Sequence, residues 1–470
     1  MKLLDYKNIN FFYIFGFILT FILTYKTFFV IGDDYYNLLT FTDKYPVVNI
    51  SPWIPGRIND LYVSQLILKF LFNINGILEI SFFDYFSFIQ TFLFSSVACL
   101  SSLLSVKVIS KILDLSENQK RFYFFFYLVI FFGIVQFPGF NKIFAYGFNY
   151  IVVLFFLYNI FKHLVFRNNK FFFQTISHSQ LFFYLIFAYF SAFSIEYLVG
   201  FAIIFIFTIY SFILIVNKDL KIFNSQFSII IFIFLILSVL HFYVSINSIR
   251  AVGHNINLDI LAGNWRVHFF RQLTYFGMHK EMIILFLTPI IIAIAKNIFS
   301  LKKKINKQFF ILLFLYLTVF FFYNVLFLSI LRYHEYNSVM PLKFLFFLFY
   351  VYCCHECMKI NIYSKFYVII ILFLFSTHFT NIIQSQIFFK KDKHKLIRAH
   401  YDLLVNACKI NQSVIKTNTK IIDLYWSNYR NIGSHELPTK YSPDYFGPRV
   451  KETVEKFYQC KFDKPPLFIN

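Results

Sequence analysis

Apolar stretches long enough to cross a bilayer recur along this chain, and nothing else in it restricts the fold so tightly. About 20 mostly apolar residues in a helix cross the hydrocarbon core. Inside lipid every backbone N–H and C=O needs a partner within the protein, so a spanning segment is a helix or belongs to a closed barrel. The run from Phe11 to Ile31 comes first, at ~31 Å as a helix. Further runs lie at 82–106, 122–138, 149–166, 181–196, 199–216, 227–245, 283–300, 309–330, 341–358 and 366–381. Glu196 and Gly200 interrupt the stretch from Leu181 to Val216, which reads as two short spans with a turn between them. The expected fold is an all-α polytopic membrane protein of about eleven transmembrane helices.

Composition and charge agree with this. Charged residues make up 14% of the 470 and hydrophobic ones 59%, whereas soluble domains carry roughly 25% charged residues. A cytosolic enzyme, a disulfide scaffold and a disordered chain are excluded. The 73 Phe owe something to AT-rich codon usage. A net charge of +21 invites a nucleic-acid partner, but no zinc-finger, helix-turn-helix or single-strand-binding signature accompanies it. Positive charge collecting in cytoplasmic loops is the simpler cause. Segments 107–121, 162–170, 217–221, 296–307 and 355–365, with the first ten residues, hold about 18 Lys/Arg in about 62 positions. The intervening outer segments hold about 10 in about 112, the asymmetry the positive-inside rule describes. The first run lacks a small-x-small cleavage site, so it reads as an uncleaved span with a cytoplasmic N-terminus.

The outer segments are uneven. Residues 32–81 contain GDDYYNLL, then PWIPGR, then LYVSQLILKFLF. In the last piece Gln65 and Lys69 stand four apart on an apolar background, the pattern of an interfacial helix. Segment 246–282 carries Arg250, His254, Asp259, Arg266, His268, Arg271, His279 and Lys280. From residue 390 the chain is polar, with GSHELP, YSPDYFGP and KPP as loop signals. The division expected is a membrane domain over 1–389 and a small polar region over 390–470. Long segments translocate regardless of charge, so the polar region is expected outside.

Asp33-Asp34, directly after the first span, is the sharpest chemical feature. One reading is a solvated polar pair that ends a helix at headgroup level. The other is catalytic, since a general base must sit where its substrate's hydroxyl can reach it. Tyr35, Tyr36, PWIPGR and an interfacial helix follow before the second span. This arrangement resembles the GT-C superfamily of integral-membrane glycosyltransferases, and most closely its bacterial O-antigen glucosyltransferase-like members. It is carried by the acidic doublet after span one, Arg57 in the downstream GR, the Phe-rich spans and the polar C-terminal region. Ile58-Asn59-Asp60 after Gly56-Arg57 departs from the aromatic or aliphatic residue expected there.

The resemblance implies a polyprenyl-phosphate-linked sugar as donor, a glycan or lipid-linked acceptor, and inversion at the anomeric carbon. It implies Asp33 as base with Asp34 in support, and Arg57, Arg332, Arg266 and Arg271 as phosphate ligands. Planar guanidinium forks suit phosphate oxygens, and each of these arginines also has a plainer reading as a headgroup-binding side chain. Glu196 and Tyr35 are implied as substrate or cation ligands. No organic cofactor is implied, and a divalent cation is compatible. The site would face the periplasm of a bacterial inner membrane, among membrane lipids.

Two other functions fit a polytopic chain. An oligosaccharide-repeat polymerase would carry its polar loop in mid-chain, as 246–282 does. A secondary transporter would show internal repeats and midplane ionisable groups, and neither is evident. Cys353, Cys354, His355 and Cys357 form one short run rather than the separated ligand pairs of a zinc site. Cys408 and Cys460 are the two cysteines of the polar region. In an oxidising compartment they pair or remain two independent thiols.

Overall fold

The structure, a computed structural model, describes residues 2–26, 82–112, 115–134, 144–167, 170–218, 225–246 and 389–416. It also describes short pieces at 290–295, 313, 317–318, 352–353, 454–455, 458–463 and 467–469. Helices dominate them: α1 (Lys2–Thr24), α2 (Phe82–Ile112), α3 (Glu117–Ile134), α4 (Phe144–His163), α5 (His178–Ala192), α6 (Glu196–Asn217), α7 (Gln226–Ile246) and α8 (Phe389–Lys409). Among the described residues three stretches, Ser87–Ser110, Glu196–Asn217 and Gln226–Val244, are long and apolar enough to cross a membrane. The expected break inside 181–216 is present as a turn at 193–195.

Helix starts follow local chemistry. Ser116 precedes α3 and exchanges hydrogen bonds with Gln119, whose side chain accepts from the Ser116 N–H at 2.9 Å. Ser177 and Gln180 form the same reciprocal box ahead of α5. Each box satisfies two N–H groups that a helix start leaves open. At the far end of α6, Lys218 adopts a left-handed conformation (φ 55°) and its N–H returns to the Leu214 carbonyl, a helix stop.

A helix apolar on every side cannot choose its neighbours by hydrophobicity, so small residues and close backbone approach decide. On α2, Ser87, Thr91, Ser95, Ala98, Ser102 and Ser105 recur every three or four residues and all are buried. The hydroxyls of Thr91, Ser102 and Ser105 donate to carbonyls one turn back at 2.7–2.9 Å, which satisfies them without a partner helix. Glycine marks the tightest approaches. A Cβ on Gly16 of α1 would lie 2.6 Å from the Phe124 ring of α3, and one on Gly147 of α4 would lie 3.0 Å from Cβ of Leu93 on α2.

Ring contacts fix the directions. Phe17 and Phe21 of α1 meet Phe92 and Phe88 of α2, so those helices run antiparallel. Tyr13 meets Phe124 while Gly16 faces Phe124 and Leu128, so α1 and α3 are parallel. Tyr150 and Phe161 of α4 meet Tyr197 and Phe205 of α6, another parallel pair. On α5, Ser191 reaches back to Val152 and Tyr184 to His163, antiparallel to α4. The bundle therefore has two ends. The hairpin end gathers the C-termini of α2, α4 and α6 and the starts of α3, α5 and α7. The cap end gathers the end of α1, the starts of α2, α4 and α6, and the end of α7.

Two short sheets modify the all-α expectation. After α4 the chain turns into an antiparallel hairpin, β1 (Leu164–Arg167) with β2 (Lys170–Phe173), in the register Leu164↔Phe173 to Arg167↔Lys170. The apolar run expected to be helical to 166 thus stops at His163. Asn168-Asn169 between two aromatic and β-branched runs is turn chemistry that competes with the helix. The Asn217 carboxamide holds the hairpin to α6, accepting from the Phe171 N–H (2.7 Å) and donating to its carbonyl (2.6 Å). In the polar region, β3 (Val414–Lys416) pairs in parallel with β4 (Leu467–Ile469).

Candidate functional site

At the cap end a helix from the polar region packs on the start of the membrane bundle. On α8, His394, Arg398 and Asp402 stand at i, i+4 and i+8, hence on one face. Arg398 forks onto Asp84 in the first turn of α2, Nη1 to Oδ1 at 2.9 Å and Nη2 to Oδ2 at 2.8 Å. Its Nε lies 3.7 Å from Asp402. Such a two-pronged charged pair fixes orientation as well as distance. It ties positions 314 residues apart.

His394 beside it is buried, at 1% exposure. Burial pushes its imidazole down to about 4; the Asp84 carboxylate opposes this, while Lys26 and Arg398 add to it. Burial likewise raises Asp402, against the pull of Arg398 and with the push of Asp84. Lys26 follows the end of α1 in a left-handed conformation (φ 63°). The cluster thus gathers Lys26, Asp84, His394, Arg398 and Asp402 where α1 ends and α2 begins.

Behind α8 the polar region has a small core of its own. Leu404, Val405, Ala407 and Cys408 of the helix are buried, as are Ile415, Val454 and Phe462. Cys408 and Cys460 form a disulfide with α-carbons 5.7 Å apart, so of the two expectations for these thiols the paired one holds. Asn411 and Asp463 bond through side chains, and the Asp463 N–H donates to the Asn411 carboxamide oxygen at 3.1 Å. The Phe462 N–H donates to Glu455 at 2.8 Å, and Lys409 lies over the Tyr458 ring at 5.6 Å.

Glu196 also sits at the cap end, as the first residue of α6. It is buried, and a carboxylate there faces the positive end of the helix dipole. Gln90, Asn149, Tyr150, Tyr197 and His241 are buried near the same ends of their helices. Tyr150 and Tyr197 are 6.3 Å apart by ring centroid, and His241 lies 5.9 Å from Phe193 in the turn. Amide, phenol, imidazole and carboxylate groups are the kinds that hydrogen-bond substrate hydroxyls.

Asp33, Asp34, Tyr35, Arg57, Arg266, Arg271 and Arg332 lie outside the described residues, as do Arg250, Lys280 and the interfacial helix expected around Gln65 and Lys69. Cys353 is buried, while Cys354, His355 and Cys357 lie outside the described residues. Among the described residues no group of three or more His, Cys, Asp or Glu is placed to hold a metal ion.

Sequence reasoning missed Asp84, His394 and Arg398. The one available signal was the four-residue spacing of His394, Arg398 and Asp402 in the polar region, which says nothing of a partner 314 residues away. Compared with family models, curated proteins and solved structures, the chain matches none.

Proposed function

We propose that the protein is a polytopic membrane glycosyltransferase of about eleven spans. It would move a sugar from a polyprenyl-phosphate donor to an envelope glycan or lipid-linked acceptor at the outer face of a bacterial inner membrane. The observation that supports it best is the tie between Arg398 and Asp84. It brings the polar C-terminal region to the end of the bundle where α1 stops. Asp33 follows Lys26 by seven residues, so covalent reach alone keeps it within ~25 Å of that end. The buried Glu196 and the polar region share that end, which supports a reading in which Asp33 works there.

In this reading Asp33 takes the proton from an acceptor hydroxyl as its oxygen attacks the anomeric carbon. The C–O bond to the lipid phosphate breaks on the opposite face, and the phosphate leaves with the electron pair. Arg57 and Arg332, with Arg266 and Arg271, would stabilise that charge, and fixed cations at developing charge supply a large catalytic term. Asp34 would support Asp33 through a hydrogen bond or a bound cation, and Tyr35 and Glu196 would bind substrate hydroxyls.

The test is transfer by purified protein from a radiolabelled polyprenyl-phosphate sugar. Asp33→Asn should abolish transfer while expression and membrane insertion persist, and normal turnover by that variant overturns the mechanism. Lengthening of a pre-formed repeat would instead identify a polymerase, and uptake into vesicles a transporter.

A further inference from the structure

The hairpin end carries a second concentration of charge that the proposed chemistry does not use. Lys107 near the end of α2, Lys120 and Arg121 near the start of α3, and Lys162 in the last turn of α4 come from three helices. Lys107 is close enough to Lys120 and Lys162 to be repelled by both, and close enough to Glu117 to be attracted. Glu117 is engaged by Lys120 at 2.6 Å. The Arg121 guanidinium lies over the Phe12 ring of α1 at 4.6 Å, and its Nε is buried without a hydrogen-bond acceptor. Among the described residues, four cations therefore stand with one carboxylate. Lys107 and Arg121 are half-buried, while Lys162 is exposed.

Such an excess is costly unless an anion completes it, because half-buried like charges repel with little solvent between them. The surroundings indicate which kind of anion. Phe11 and Phe15 on α1 and Phe122 on α3 are exposed, and they lie beside the Phe12–Arg121 contact along the parallel α1–α3 pair. Cations at the end of an apolar aromatic face match an amphiphile, with its phosphate at the rim and its chains along the rings. A free phosphate would use the cations and leave the rings unused. Basic clusters between membrane helices on the positively charged side take anionic lipid headgroups in this way.

We infer that Lys107, Lys120, Arg121 and Lys162 form a binding site for the phosphate of an anionic phospholipid, with its acyl chains laid against Phe11, Phe15 and Phe122. The site rests on the chain being a membrane protein and not on glycosyl transfer, so the two fail separately. Loss of transfer in Asp33→Asn would leave lipid binding intact.

The full-length protein in detergent is titrated with phosphatidylglycerol, phosphatidylcholine or inorganic phosphate. Native mass spectrometry counts bound lipid and thermal unfolding reports stabilisation. Phosphatidylglycerol should bind and raise the melting temperature where the other two do not. Each cation removed should weaken it about fivefold, so Lys107→Gln with Lys120→Gln and Lys162→Gln should lose roughly a hundredfold. Lys120→Gln with Lys162→Gln, which leaves half-buried Lys107 in place, should lose roughly 25-fold. The matched set Lys395→Gln, Lys409→Gln and Lys461→Gln at the other end should change nothing. Equal binding of phosphatidylcholine, or unaltered phosphatidylglycerol affinity in the double variant, overturns the site. Stabilisation by inorganic phosphate equal to that by phosphatidylglycerol overturns the lipid assignment.

Discussion

His394 is where a single side chain gives the cap end a pH dependence. With α8 docked, its imidazole stays neutral down to about 4 because burial disfavours the cation, with Lys26 and Arg398 adding repulsion against the attraction of Asp84. Released to water, the same group takes a proton near 6.5. Above pH 6.5 both states are neutral and this group leaves docking unchanged. Between 6.5 and 4 the released state binds the extra proton, so docking weakens as pH falls. The full loss reaches ~3 kcal/mol near pH 4. Asp402, raised by burial, acts in the opposite sense, though half of its side chain is exposed and solvent screens it. Amide exchange over 389–409 should therefore quicken as pH is lowered from 7 to 4.5, after correction for intrinsic rates. His394→Gln should flatten that rise. An unchanged pH profile in the variant would exclude His394 as its source.

Between elements, the closer of the two described glycine approaches joins α1 and α3. A methyl at position 16 would meet the Phe124 ring at 2.6 Å, and Phe124 is fully buried, so the ring has no free space to enter. Gly16→Ala should cost about 1–3 kcal/mol in overpacking despite alanine's better helix propensity. Gly147→Ala, at 3.0 Å from Leu93, should cost less, and thermal unfolding in one detergent would rank the two. A greater loss at Gly147 would count against the α1–α3 approach. Such contacts show what the sequence could and could not convey. The break before Glu196 was legible because a carboxylate and a glycine interrupt an apolar run, and helix starts are written locally in Ser116–Gln119 and Ser177–Gln180. The α1–α3 approach was not legible, because Gly16 carries no mark of which ring faces it. Nor was the end of α4 at His163, since LVFR and KFFF are as apolar as the helix before them. Asn217 clamps Phe171 of β2 from 46 residues away, a tie that the sequence does not mark. At the cap end, the polar character of α8 was visible and its partner Asp84 was not.

For the whole molecule, short-loop charge at one end and a disulfide at the other support one orientation in a bilayer. Lys107, Lys120, Arg121, Lys162, Arg167, Lys170 and Lys218 all belong to segments at the hairpin end, the segments whose charge reads as cytoplasmic. The cap end holds α8 and the Cys408–Cys460 disulfide, whose α-carbons are 5.7 Å apart and which closes a separation of 52 residues. A crosslink over that length stabilises by ~4 kcal/mol in the chain-entropy model, but it persists where the compartment is oxidising. Charge in long segments such as α8 does not set topology, so the short-loop charge at the hairpin end and the crosslink at the other support one orientation. Reporter fusions after Asn217, at the hairpin end, and after Asn470, in the polar region, should report opposite compartments. A cysteine-specific label applied to freshly isolated, unreduced protein should spare Cys408 and Cys460, and Cys408→Ser should expose Cys460 to it while lowering stability. Two cytoplasmic reporters, or ready labelling of both thiols, would put the polar region inside. The cap end would then face the cytoplasm, and Asp33 would be denied the outer-face acceptor that the proposed transfer requires.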